Sequence, residues 1–480
     1  MFTKNKSKSF ILLVALLVCA IFVLTACNTP NVFKPVTKPD PAEAQGNGGI
    51  AVRYGDWIYY VNGYQSSATA SNSYTNDIRT GAIVRIRVAD LEKIIKINEA
   101  DASDTLKKDA IKRVVAGKAD TVETESLKSV VSGINGAELV VPNFYYTGNT
   151  SSTALNGLYI FNNRIYITTP NNEMDPNGNL LTSQLVLMSY ALDGSDAQRH
   201  FVFTSNAPQL KLSQSGSDVL ATYVLGENLC FFKVGDSEPT TVVEKISSAT
   251  FSGDYIYFLD ENGSICQYQI GQTAHKVLIE KKADDDNTTY AIKSANGEYV
   301  YYTVTDKSSQ ASGLQLFYAT ANEGSASDHK VALDTIPTGS YFGWGDKVVY
   351  TTSVTEESVT MYGIWVAGQN GTDKKVILNP AENDNVITFN KLEGDTLYYT
   401  VSNVSYSLDL AKKTADSSTP AVAYAHSLSN TATGWSVPEV LGDYAFSLAA
   451  GSVSVVKFDA ETKTNSASTA ITLTVIEESK

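Results

Sequence analysis

Cysteine, histidine and charge are all scarce in this chain. Four cysteines in 480 residues (Cys19, Cys27, Cys230, Cys266) are too few for a disulfide scaffold. There is no CxxC pair and no HExxH motif, and the four histidines (His200, His275, His329, His426) stand singly, so no metal site is expected. Asp175-Pro176-Asn177-Gly178-Asn179 and Asp284-Asp285-Asp286-Asn287 offer oxygen ligands without a closing glutamate, and read as solvated turns rather than calcium loops. No GxSxG elbow, P-loop or dinucleotide fingerprint occurs in its strand–helix context, which leaves no cofactor to expect and no catalytic residue to nominate. Only 18% of residues are charged, and the net charge of −14 repels phosphate backbones, so nucleic acid is not expected as a partner.

Long apolar runs are confined to the first residues. Lys4, Lys6 and Lys8 precede an apolar stretch from Phe10 to Val23, and Leu24-Thr25-Ala26-Cys27 follows. This pattern resembles a bacterial lipoprotein signal; a plain secretory signal or a membrane-spanning helix is the alternative. The resemblance implies that residues 1–26 are removed and that Cys27 carries lipid (palmitate among its acyl chains). It also implies that the protein is held by that anchor at the extracytoplasmic face of a cell membrane. Removing three lysines with the signal takes the net charge from −14 to −17. Residues 27–49 are then the lipidated cysteine and a flexible tether, with four prolines and three glycines among residues 28–49.

What the chain has in quantity is tyrosine (27) and phenylalanine (17), set in a recurring phrase. GDWIYYVNG at 55–63 returns as SGDYIYFLD at 252–260, NGEYVYYTV at 296–304, GDKVVYTTSV at 345–354, GDTLYYTVSN at 394–403 and GDYAFSLAAG at 442–451. Aligning the polar residue that opens each strand gives Asp56, Asn163, Asp218, Asp254, Glu298, Asp346, Asp395 and Asp443. From Asp254 onward the intervals are 44, 48, 49 and 48 residues, a period typical of radial repeats. Within the unit the alternation has period two, with both faces apolar in Asp254-Tyr255-Ile256-Tyr257-Phe258. "HKVLIE" at 275–280, "HKVAL" at 329–333 and "KKVILN" at 374–379 supply a further strand before the next phrase. About four short strands per unit predict an all-β fold: a β-propeller over residues 50–480, with eight blades favoured and seven as the runner-up. The turn residues ahead of each aromatic strand are expected to mark a tight entry into each blade. The strand at Ile471 to Ile476 is expected to pair with an N-terminal strand and close the ring.

The GD-aromatic-aliphatic-Tyr-aromatic phrase, followed by a turn and a second strand, is similar to a bacterial propeller family without an assigned activity. That family is related to the YWTD-type propellers of lipoprotein receptors and includes many lipoproteins of Gram-positive bacteria. The similarity covers most of residues 50–460 and implies a fold, not a chemistry. The YWTD form itself is not kept, since only analogues such as Tyr59-Tyr60 and Tyr398-Tyr399 appear.

The interval from Asp56 to Asn163 is 107 residues, over twice the repeat. Leu106, Ala110, Ile111, Val114 and Val115 fall on one helical face, with Ser103 or Asp104 as N-cap, and a second helix is predicted from Thr124 to Ser132. A small helical insertion in the first blade, at about 98–139, follows. As the element that breaks the pseudo-symmetry, it is expected to carry or flank a ligand site including Phe144, Tyr145 and Tyr146. The functional expectation is a monomeric, membrane-anchored binding or scaffolding propeller whose ligand is an envelope protein, a peptide or a glycan. The alternative is an extracellular glycan-active hydrolase or lyase using carboxylates at the central channel. Cys230 and Cys266 each lie twelve residues after an opening aspartate, in adjacent units, and are predicted to be two buried thiols.

Overall fold

The computed structural model describes residues 33–63, 82–115, 127–141, 156–171, 173–178, 181, 183–205, 208–282, 284, 286–306, 316–320, 329–331, 341–379, 385–402, 404–419, 421–424, 439–449, 452–459 and 464–479. Eight antiparallel sheets succeed one another along the chain, one per aromatic phrase. The fourth is representative, with Ser247–Ser252, Tyr255–Leu259, Ile265–Gln269 and Lys276–Ile279 hydrogen-bonded in that order. The innermost strands of neighbouring sheets touch between the first and second blades, from the fourth to the seventh, and between the eighth and the first, so they lie nearest the axis and the ring is an eight-bladed propeller.

The recurring turn lies inside each blade rather than at its entrance. It is the two-residue hairpin that joins the innermost strand to the aromatic strand, which is therefore second from the axis. Gly55, Gly216, Gly253, Gly297, Gly345, Gly394 and Gly442 have φ between 54 and 61°, while the following residue does not, which is the type II′ pattern. The second blade uses Asn162-Asn163, both at positive φ, a type I′ turn. The "HKVLIE"-type strands are fourth and outermost.

The aromatic strand recurs because both of its faces fill a seam. In the fourth blade Ile256 and Phe258 pack with Val224 and Leu229 of the third, while Tyr257 packs with Val300 and Tyr302 of the fifth. Tyrosine stands at the same place, three residues after the opening polar residue, as Tyr59, Tyr166, Tyr257, Tyr301 and Tyr398, all buried. The Tyr257 hydroxyl donates to the Gly297 carbonyl of the next blade's turn (2.8 Å), and Tyr301 reaches Gly345 in the same way (2.7 Å). Each bond contributes about 1 kcal/mol net. A phenylalanine would fill the wedge without tying the blades together.

The first blade's insertion runs between strands Ile83–Arg87 and Glu138–Val141, and it is less helical than predicted. Helix α1 (Val88–Glu99) buries Leu91, Ile94 and Ile95, and the short helix α2 (Asp104–Asp109) is capped by Ser103, whose hydroxyl accepts from Leu106 N–H. The predicted continuation is instead strand Ile111–Val115, and the second predicted helix is strand Leu127–Ile134. Ile111, Val114 and Val115 are β-branched, as are Val130, Val131 and Ile134, and the C-terminal strand Thr474–Ser479 pairs with Leu127–Ile134, so long-range pairing overrides a local helical pattern.

The insertion joins the first blade to the eighth. Glu92 of α1 accepts from the Tyr444 hydroxyl (2.9 Å) and Lys457 Nζ (2.5 Å), and Asn98 donates to Thr469 Oγ1 (3.1 Å). Tyr60 donates to the Ile471 carbonyl, and Asn62 exchanges two hydrogen bonds of 2.8 Å with Leu473. The residues expected to tether the body are also docked from Phe33 onward. Phe33 is 2% exposed, the Leu139 N–H donates to its carbonyl, and Ala44–Gln45 adds a strand beside Ala51–Tyr54. Cys230 and Cys266 are buried free thiols in the third strands of adjacent blades.

Candidate binding cleft between the second and third blades

Five outer strands carry a β-bulge near the same end of their pairing with the third strand, four of them at one register and the third blade's slightly beyond it. The extra residue is Val140 in the first blade, Val242 in the third, Leu278 in the fourth and Ile377 in the sixth. In the second blade it is His200, between Arg199 and Phe201 of strand Gln198–Phe203. A bulge blunts a rim strand against edge-to-edge pairing, and four blades seal it with an aliphatic side chain. The second blade places an imidazole there.

Around this position the seam opens into a cleft of about 590 Å³, lined on one side by Arg199, His200 and Phe201 and on the other by Tyr223, Leu225 and Glu238. Its floor is aromatic. Phe201 lies 4.5 Å from Phe232 and 5.0 Å from Phe203 between ring centroids, and Phe203 meets Tyr223 edge-on at 5.1 Å. Such a cluster holds Phe201 in place while leaving it half-buried. The rim is charged. Arg199 pairs with Glu173 (2.8 Å), and Arg164 pairs with Asp196 (2.5 Å) and donates through Nε to Ser189 Oγ (3.0 Å).

His200 Nε2 lies 2.7 Å from the same Ser189 oxygen, and its ring stacks on Tyr166 (5.9 Å). This Ser–His pair is not a nucleophile and its base, because Ser189 is fully buried and already takes the Arg164 hydrogen. Burial and the nearby Arg164 hold His200 below the ordinary imidazole pKa, so it is neutral at pH 7. The cleft thus combines an apolar floor, a neutral imidazole and a paired arginine, as a recognition site does.

A second polar cluster, inside the first blade, is structural. Arg85 is fully buried, and its guanidinium contacts Glu138 (2.7 Å), the Tyr59 hydroxyl (3.0 Å) and the carbonyls of Leu192 and Thr37, above the Trp57 ring at 4.2 Å. Every nitrogen is engaged, which leaves no group for a ligand. In the hydrolase alternative one carboxyl of a facing pair, the general acid, would stand above its usual pKa range. Glu92, Asp193, Asp196 and Glu261 are instead held below it, by Lys457, the Ser195 hydroxyl, Arg164 and Lys245 respectively. Among the described residues no group of three or more His, Cys, Asp or Glu side chains is placed to hold a metal ion, and Asp175 Oδ1 accepts from Asn177 N–H within its turn.

Of the residues nominated from sequence, Cys27, Phe144, Tyr145 and Tyr146 lie outside the described residues. The cleft residues Arg199, His200, Phe201 and Tyr223 were not nominated. Their signal is present in the chain, since QRHFVF at 198–203 carries a histidine where the four other bulged outer strands carry Val, Leu or Ile.

No family model matches the chain, and no curated protein matches it. Among solved structures it is similar to apo AztD from Citrobacter koseri, at 11% identity over 77% of this chain and 98% of that one, TM-score 0.34. It is also similar to YCF48 bound to D1 peptide, at 9% identity over 64% of this chain and 92% of that one, TM-score 0.34. A eukaryotic initiation factor matches at 12% identity over 75% of this chain and 91% of that one, TM-score 0.38.

Proposed function

We propose that this chain is a lipoprotein of the YWTD-related bacterial kind, anchored at the extracytoplasmic face of a cell membrane through Cys27. Its propeller binds a peptide segment of a partner protein in the cleft between the second and third blades. One observation carries the reading: a seam position sealed by an aliphatic residue in four other blades is held open here by His200, above an aromatic floor. The volume of about 590 Å³ suits one or two apolar side chains of an extended segment. Arg199 at the rim favours a neighbouring acidic group on that segment. Phe144, Tyr145 and Tyr146, between the first and second blades in sequence, are proposed as a second contact.

A peptide array tiled over the exported proteins of the same cell, probed with the soluble chain from Asn28, tests this. Phe201→Ser and Arg199→Glu are each expected to weaken capture at least tenfold while the circular dichroism spectrum is unchanged. Tyr145→Ala reports on the second contact in parallel. Capture that survives both cleft variants at wild-type strength removes the cleft from the reading.

A further inference from the structure

The surface from which the anchor would emerge is unlike the rest of the protein. Phe33 is buried against Gly133, at which an added Cβ would lie 3.2 Å from the Phe33 ring, and the Leu139 N–H bonds to its carbonyl. Phe33 lies only six positions after Cys27, and a fully extended chain spans at most about 3.5 Å per residue. Phe33 therefore stands within about 20 Å of any lipid on Cys27. A 22-residue free spacer would have let the body roam; a docked strap does not.

Around Phe33 the sequence and the exposure change together. Residues 33–38 and 104–113 hold six bases (Lys34, Lys38, Lys107, Lys108, Lys112, Arg113) against two acids (Asp104, Asp109), in a chain whose net charge is −14. All six bases are exposed. Large apolar side chains are exposed among them, with Val36 at 80%, Leu106 at 53% and Ile111 at 48%. One strand pairing links the two segments: Lys112 pairs with Gly133, against which Phe33 packs. Bases interspersed with exposed aliphatics, beside a lipid attachment point, are the composition of a surface that rests at an anionic bilayer interface.

We infer that α2, the start of strand Ile111–Val115 and the strap at residues 33–38 form a membrane-resting face. On this inference the propeller lies against an anionic bilayer by the closure of its first and eighth blades, with the fourth and fifth blades pointing away. It rests on the lipoprotein reading above, and it adds an orientation and a second, electrostatic attachment. Acyl chains on Cys27 would hold the protein to the bilayer without setting its orientation, and a basic patch beside them adds an attraction to anionic lipid that does.

The test uses the full-length protein purified from membranes and reconstituted into vesicles of phosphatidylcholine with or without phosphatidylglycerol. Mass spectrometry first reports whether Cys27 carries lipid. A fluorophore is placed at Thr105→Cys in α2 or at Asn262→Cys on the far side of the ring, both exposed, with the two native thiols buried. Quenching by lipids nitroxide-labelled at the headgroup is then read at each site. The expected result is quenching at 105 several-fold above that at 262, strengthened by phosphatidylglycerol and reduced at least threefold by Lys107→Glu/Lys108→Glu/Lys112→Glu. Lipid on Cys27 with equal quenching at both sites, or quenching indifferent to the charge reversal, overturns the orientation and leaves the anchor standing. An unmodified Cys27 overturns the anchor and the orientation with it. Loss of quenching at 105 only when a second protein is added back from the membrane extract assigns the basic face to that protein instead.

Discussion

Replacing Gly343 by alanine probes how closely two neighbouring blades approach. Gly343 lies in the innermost strand of the sixth blade, two residues before the turn glycine Gly345. A Cβ added at Gly343 would sit 1.8 Å from Cδ2 and Cε2 of Tyr301, whereas one added at Gly345 would meet nothing within 4 Å. Tyr301 cannot retreat freely. It is fully buried, its hydroxyl bonds to the carbonyls of Gly345 (2.7 Å) and Lys347 (2.8 Å), and Gln369 Nε2 donates to it (2.8 Å). Forcing a methyl into such a contact costs about 1–3 kcal/mol in displaced packing. Moving the ring off two hydrogen bonds adds roughly 2 kcal/mol at about 1 kcal/mol each. Gly343→Ala is therefore expected to destabilise by about 3–5 kcal/mol. Gly345→Ala, strained only by its φ of 54°, should cost about 1–2 kcal/mol. Urea denaturation followed by tryptophan fluorescence, with Trp344 and Trp365 in the same blade, reads both. Adding Tyr301→Ala to Gly343→Ala should cost less than the sum of the two single changes, because the clash is gone. Equal losses for Gly343→Ala and Gly345→Ala, or strict additivity in the pair, would refute the reasoning.

Arg85→Met leaves Glu138 buried without its partner and is expected to cost about 3–5 kcal/mol, while Arg85→Met/Glu138→Leu recovers most of it; denaturation midpoints that do not separate the two variants would contradict this. His200 has a folded-state pKa below its ordinary 6.5, so the unfolded chain takes the proton first. Its contribution to stability is full above about pH 6.5 and is lost as pH falls from there through the lowered folded value. His200→Asn should flatten that part of the stability–pH profile, and an unchanged slope would assign the dependence to another group. Burial pushes the Cys266 thiol up to about 12, and the Cys230 sulfur is buried from reagent as well, so both should react with an aromatic disulfide reagent only at the rate of unfolding. Unreduced mass spectrometry finding their peptides cross-linked would contradict the assignment.

The propeller was legible in the sequence because its strongest constraint repeats. Gly-Asp followed by an aromatic strand needs a left-handed φ and then two buried faces, and both demands are met by residue type alone at 55–61 and 345–350. The position of that strand within the blade was not legible, since a hairpin turn inside a blade and a tight link between blades call for the same residues. The insertion misled because Leu106, Ala110, Ile111, Val114 and Val115 satisfy a helical spacing, while the partner that makes Ile111–Val115 a strand is Leu127–Ile134, itself fixed by residues 474–479. The docked strap was hidden for a similar reason. Proline-rich composition signals an extended chain, but not whether that chain lies on a surface, and the burial of Phe33 is a tertiary fact. His200 escaped notice because single histidines are common in strands. It stands out only when the bulges of five blades are superposed.

The closure between the first and eighth blades also sets an order of events for the chain's assembly. Tyr60 and Asn62 meet Ile471 and Leu473 across 411 residues, and strand Leu127–Ile134 finds its outer partner in residues 474–479. Contacts of such sequence separation form late, because the entropy of closing the loop is lost before any contact rewards it. Blades two to seven, each built from strands adjacent in sequence, can form as local hairpins before the ring closes. The first blade's outer face stays uncovered until the last residues arrive. A nascent or truncated chain thus displays Val130 and Val131 to its surroundings, so an unfinished ring differs from a finished one by an exposed apolar strand.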